Sequence, residues 1–173
     1  MRDNTVKEAV LSECLRYRYD LYRRWRTGEG YILWVMLNPS TADGKKDDAT
    51  IRKCRGFTTQ LGYGAMHVVN LFAFRSTMPG ELLSQPDPVG EHNDYHISLN
   101  SHRRPTCKLI IAAWGSLDFI PKKSPLRARV VRVMELIGPN VQCLGVSKNG
   151  DPRHPSRIGY DTPLVPFTPK EAV

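Results

Sequence analysis

Four segments of the chain are apolar at almost every position: Tyr31 to Leu37, Met66 to Phe74, Leu109 to Trp114 and Val141 to Val146. Short apolar runs that do not alternate are expected of strands covered by helices on both faces. Between them the spacing changes to that of helices. Ile51, Cys54, Phe57 and Leu61 recur at three- and four-residue steps after Asp47 and Asp48, which can cap the helix, and Gly62 and Gly64 stop it. A second helix is predicted from about Glu91 to His102, with Asn93 or Asp94 able to cap it or to line a pocket, after a Pro- and Gly-rich loop over Pro79 to Gly90. A third carries Leu126, Val130, Val133, Met134 and Ile137 on one face and ends at Gly138-Pro139.

Residues 15 to 25 behave differently. Leu15, Tyr17, Tyr19, Leu21 and Trp25 alternate with Arg16, Arg18, Asp20, Tyr22 and Arg24, the pattern of an edge strand or hairpin arm with its charged face in water. A Gly28-Glu29-Gly30 turn then leads into the first apolar run. The fold class predicted is α/β, a three-layer α/β/α arrangement around a central four-stranded, mostly parallel sheet, plus the N-terminal edge strand or hairpin. The expected organisation is one domain over residues 1–173: an N-terminal arm to residue 30, a core over 31–160 and a tail over 161–173.

Helical crossovers keep successive strands parallel, so their C-terminal ends share one rim, where open α/β sheets bind ligands. The residues at those ends are polar or aromatic. Leu33 to Leu37 ends at Asn38, Val68-Val69 at Asn70, Leu109 to Ala113 at Trp114-Gly115, and Val141 to Val146 runs on to His154-Pro155-Ser156. They are expected to converge on one pocket. Trp114 reads more readily as core than as a ligand contact, with Gly115 allowing close backbone approach, and Asn70 reads either as a site residue or as a buried amide tethering a loop.

At 173 residues and 40% hydrophobic the chain can bury one substantial core. A formal net charge of +8 favours an anionic partner such as nucleic acid. Cys14, Cys54, Cys107 and Cys143 form no C-x-x-C pair, which argues for reduced thiols over zinc or an iron-sulfur cluster. His92 and His96 are four apart but lack a third ligand fixed by sequence, so no metal or other cofactor is expected. The first thirty residues hold no apolar leader core, and no stretch approaches the roughly 18 apolar residues of a membrane span. A cytoplasmic monomer without membrane contact is expected.

The order of these motifs resembles the uracil-DNA glycosylase superfamily. Met36-Leu37-Asn38-Pro39-Ser40 is similar to the G-I-N-P-G of its mismatch-specific branch, Val68-Val69-Asn70 to its apolar strand ending in Asn, Ala113-Trp114-Gly115 to its strand ending in Trp-Gly, and His154 to Gly159 to its H-P-S-P-L-S. The chain resembles still more closely a family of short bacterial and phage proteins of unknown function, marked by L-N-P-S-T-A-D and V-V-N-L-F-A-F-R, which supplies no activity. The first resemblance implies a monofunctional DNA glycosylase that flips a base from DNA, and the bacterial or phage setting implies phage defence or base-modification chemistry.

Cleaving an N-glycosidic bond builds positive charge on the sugar and negative charge on the departing base, so a site needs donors at the base carbonyl and a placed water. The resemblance assigns His154 to the first task and Asn38 to the second, with Asn70 reading the base edge and Pro39, Trp114, Phe72, Ser156 and Asp48 around it. Phe57 and Phe74 are further candidates for stacking on the base. A carboxamide cannot take the proton of water, so general-base help falls to Asp43, Asp47 or Asp48 if one reaches in. Ser40 stands where uracil-specific members carry a Tyr that blocks the 5-position, which implies a 5-substituted or hypermodified pyrimidine as substrate. Ile158 takes the place of the family's apolar wedge, and Arg157, Lys148, Arg153 and Arg75 are expected to grip phosphate. Two rival readings fit the same residues: a noncatalytic nucleic-acid-binding module with a base pocket, and an enzyme acting on free nucleotides.

Overall fold

The computed structural model describes residues 5–28, 30–102 and 106–170. Glu29 of the expected turn, residues 1–4 of the expected arm and residues 171–173 of the expected tail lie outside them. The elements are β1 (Val6–Leu11), β2 (Arg18–Arg24), β3 (Tyr31–Met36), α1 (Ala49–Gln60), β4 (Ala65–Asn70), α2 (Asn93–Ser101), β5 (Cys107–Ala112), α3 (Ala128–Ile137), β6 (Val141–Cys143) and β7 (Val165–Pro166). They build one seven-stranded sheet in the order β1-β2-β4-β3-β5-β6-β7. Its middle, β4-β3-β5-β6, is the expected parallel core. The expected four strands become seven because a hairpin extends one edge, with β2 antiparallel to β4, and β7 pairs antiparallel with β6 at the other.

The two faces of β3 explain its unbroken apolar sequence. Ile32, Trp34 and Met36 pack with Ile51, Cys54 and Phe57 of α1 on one side, while Leu33 and Val35 pack with Ile97 of α2 and Val133 and Ile137 of α3 on the other. Trp34 donates its indole N–H to Thr58 Oγ1 at 3.0 Å, fixing α1 over the sheet. Because α1 leaves β3 on one face and α2 leaves β4 on the other, the C-terminal ends of these adjacent strands open into a crevice.

Several local expectations are corrected. The alternation read over 15–25 fails because β2 carries a bulge: its pairing steps from Asp20 to Arg18 while β1 steps only from Val10 to Leu11. One extra residue reverses the facing. Arg18 therefore turns to the α1 side, while Tyr19 packs on His92 and His96 and Asp20 bonds His67 on the other. Arg18 and Asp20 are buried rather than solvated, as is Arg23. The strand begun at Val141 stops at Cys143 rather than Val146, the first part of the expected Pro79 to Gly90 loop winds into a 3-10 helix over Pro79–Ser84, and the expected tail contributes β7. Asn93 and Asp94 do not cap α2, whose N-cap is His92 with no side-chain cap bond.

Candidate functional site

Asn38, Asn70, Trp114 and His154, from four strand ends, line a single cavity of about 390 Å³ together with Ser40 and Asp48. That volume lies in the range of about 300–1,000 Å³ used by small-molecule sites. Each side chain is held from behind by the local fold.

Asn70 closes β4 opposite Met36. The carbonyls of Asn70 and Leu71 accept from Asn93 Nδ2 at 3.0 and 3.1 Å, and that of Leu71 also accepts from Arg129 Nε at 2.6 Å. The backbone is thus clamped while the side chain is not. Asn70 is 1% exposed, and both its Oδ1 and its Nδ2 are without a hydrogen-bond partner among the described residues. Buried amides are nearly always satisfied, so a donor-acceptor pair left open on a cavity wall is complementary to a ligand edge with an acceptor and a donor.

Asn38 sits half-buried beyond β3. Its Nδ2 donates to the Ser76 carbonyl at 2.9 Å and to that of Pro39 at 3.2 Å, which leaves Oδ1 without a protein hydrogen bond among the described residues. Asp48 is the N-cap of α1, with Oδ1 accepting from Ile51 N at 2.8 Å. The loop before it is stapled by the buried Arg23, whose guanidinium bonds Asp47 Oδ1 at 2.7 Å and the carbonyls of Asp43 and Lys46. Of the three acids that sequence left open, Asp43 is spent on the amides of Lys45 and Lys46 and Asp47 on Arg23 and Lys7, and Asp48 alone of the three lines the cavity.

His154 reaches the rim because the segment before it docks on the end of β5. Gly115 N donates to Pro152 O at 3.0 Å, and Leu117 N to Asp151 Oδ2 at 2.9 Å. Gly115 has φ +79°, and a Cβ there would lie 3.2 Å from His154 Cβ, so glycine meets both the backbone conformation and the close approach. His154 Nδ1 accepts from the Ser156 amide at 3.3 Å and lies 2.8 Å from its hydroxyl, which leaves the proton of the neutral ring on Nε2. Burial lowers its pKa below the ordinary value, against the opposing charge of Asp48, so the neutral ring is the form favoured at pH 7.

Sequence reasoning missed further wall residues, among them Thr50, Ser76, Thr77, Ser116, Phe119 and Arg18. Phe119 adds a second aromatic side chain to the lining, and Arg18 enters from β2 because of the bulge. Arg18 is 2% exposed; its Nη1 donates to Ala42 O at 2.7 Å, and its Nε has no partner among the described residues. No carboxylate lies within ion-pair distance of it among the described residues, and burial pushes its pKa down to about 10.

Other expected site residues fall elsewhere. Phe72 is fully buried in the core on the side of α2 and α3, and Phe57 and Phe74 are core as well, so Trp114 and Phe119 are the aromatic wall. Trp114 is core and cavity lining at once: it is 2% exposed, packs edge-to-face on Phe167, and its indole nitrogen has no partner among the described residues. Pro39 is buried and shapes the turn without lining the cavity, and Ser156 acts behind His154. Ile158 cannot be a wedge, since at 4% exposure it packs into the core beneath α1. Arg157, Arg153 and Lys148 are exposed, whereas Arg75 is half-buried and holds the Leu15 carbonyl at 3.0 Å.

Among the described residues no group of three or more His, Cys, Asp or Glu side chains is placed to hold a metal ion, and no helix is long and apolar enough to cross a membrane. No curated protein and no solved structure matches the chain. The family described as "Protein of unknown function (DUF1643)" matches residues 18–156, a span that runs from Arg18 to Ser156 and takes in every cavity residue named above, and the chain belongs to that family.

Proposed function

We propose that the protein is a DNA glycosylase that hydrolyses the N-glycosidic bond of a 5-substituted pyrimidine flipped out of DNA. The observation that carries the reading is the Asn70 amide, buried on the cavity wall with both polar atoms open. A pyrimidine edge offers a carbonyl and an N–H at matching spacing. In this reading the Nε2–H of neutral His154 donates to the base oxygen on which negative charge develops, and Asn38 Oδ1 accepts from the attacking water. The order of strand-end motifs, similar to that of the uracil-DNA glycosylase superfamily, supports the same assignment of roles. Ser40, small and on the cavity wall, leaves room beside the 5-position. Exposed Arg157, Arg153 and Lys148 and the net charge of +8 favour a DNA backbone outside the cavity.

The test is excision from oligonucleotides identical except for uracil, thymine or 5-hydroxymethyluracil at one position, scored as abasic sites, with mass spectrometry of bases released from modified phage DNA. Abasic product that disappears in Asn70→Ala and His154→Ala is expected. Preference for plain uracil over all 5-substituted bases refutes the substrate assignment, and absence of any abasic product refutes the reaction. A second reading, a noncatalytic base-binding module, is favoured by Asn38 itself, which holds water but cannot deprotonate it. Base-dependent DNA binding without product is its signature.

A further inference from the structure

We infer that Asp48 is the general base of this site, taking the proton from the water that Asn38 holds. The inference rests on the glycosylase reading and adds to it the one group that reading lacks. Asp48 is a carboxylate on the cavity wall, its Oδ1 committed to the Ile51 amide and its other oxygen free of any protein hydrogen bond among the described residues. Capping fixes its rotamer, and the Arg23 staple fixes the loop that delivers it, so the free oxygen is held in place before a substrate arrives.

The groups facing Asp48 come from three directions. Arg18 of β2 lines the same cavity with no ion pair between the two, His154 approaches from the segment after β6, and Cys54 lies nearly two turns along α1. The step balances as a hydrolysis. The water oxygen bonds to C1′ as the bond from C1′ to the base nitrogen breaks, the bonding pair leaves with the base, and the water proton passes to Asp48. His154 Nε2–H meets the negative charge on the base oxygen, and the proton on Asp48 is returned to the departed base or to solvent. Neither an oxidant nor a metal is required.

Asp48→Asn separates this role from capping, because Asn caps a helix as well as Asp does. Single-turnover excision is measured on whichever oligonucleotide the wild type cleaves fastest, beside DNA affinity and melting temperature. The expected result is a rate loss of about 10²-fold or more with unchanged DNA affinity and melting temperature. Asp48→Ser, which also caps, is expected to regain part of its rate in added formate. A rate within about threefold of wild type for Asp48→Asn leaves Asp48 a cap and overturns the inference alone, as does a rate loss that follows a matching loss of DNA affinity. No abasic product from the wild type overturns both the inference and the glycosylase reading.

Discussion

Asn70 offers the sharpest physical test of the cavity, because it predicts that removing a site residue makes the protein more stable. Its side chain is 1% exposed with two polar atoms lacking partners among the described residues. A buried group that gives up water without gaining a hydrogen bond costs about 1–3 kcal/mol. Asn70→Leu keeps the branched shape at Cγ and removes both polar atoms, and Met36, Val68 and Ile51 around it are apolar. Allowing for the slightly larger methyl groups, the substitution is expected to stabilise the free protein by about 1–3 kcal/mol, or roughly 3–9 °C in melting temperature for a chain of this size. The same substitution should abolish ligand binding, which no ordinary core repacking does. The assay pairs calorimetric melting of wild type and Asn70→Leu with DNA binding by each. An unchanged or lowered melting temperature refutes the reasoning, because it means that ordered water satisfies the amide and the cavity is not waiting for a ligand edge.

Three further outcomes follow from the same structure. Burial depresses the His154 pKa below its ordinary 6.5, so the unfolded chain takes up a proton first as pH falls; the contribution is full above about pH 6.5 and declines below it, and His154→Gln should lessen the loss of urea stability between about pH 7.5 and 5.5. Arg129→Met removes both the bond to Leu71 O and the ion pair with Asp94, a cost of about 1–3 kcal/mol in urea unfolding given that Asp94 is partly exposed, and because it loosens the clamp behind Asn70 it should also weaken ligand binding. Cys14 is exposed and its thiol pKa is lowered by the Ser12 hydroxyl, while Cys54 and Cys143 are buried with theirs raised by burial, so a thiol reagent should label Cys14 first and reach Cys54 and Cys143 only on unfolding.

The sequence by itself determined the parallel core and the residues at its rim. Apolar runs bounded by helical periodicity leave little choice of element, and parallel connections force Asn38, Asn70 and Trp114 to one edge of the sheet, so residues 32 to 76 positions apart in the chain were legible as neighbours. Asp48 was legible as a cap from its place before an amphipathic helix, but not as the one acid of three that reaches the cavity. That depended on a local turn engaging Asp43 and on Arg23 holding Asp47 from 24 residues away.

Tertiary structure alone decided the rest. A single bulged residue in β2 carried Arg18 from the face its alternation assigned to water into the cavity wall, and no local pattern marks where a partner strand skips a step. Ile158 and Phe72 went to the core and Phe119 to the site because burial is set by what packs above a residue, and those neighbours belong to distant segments. Periodicity reports which face of an element is apolar; which group then lies against which is fixed only when the elements pack.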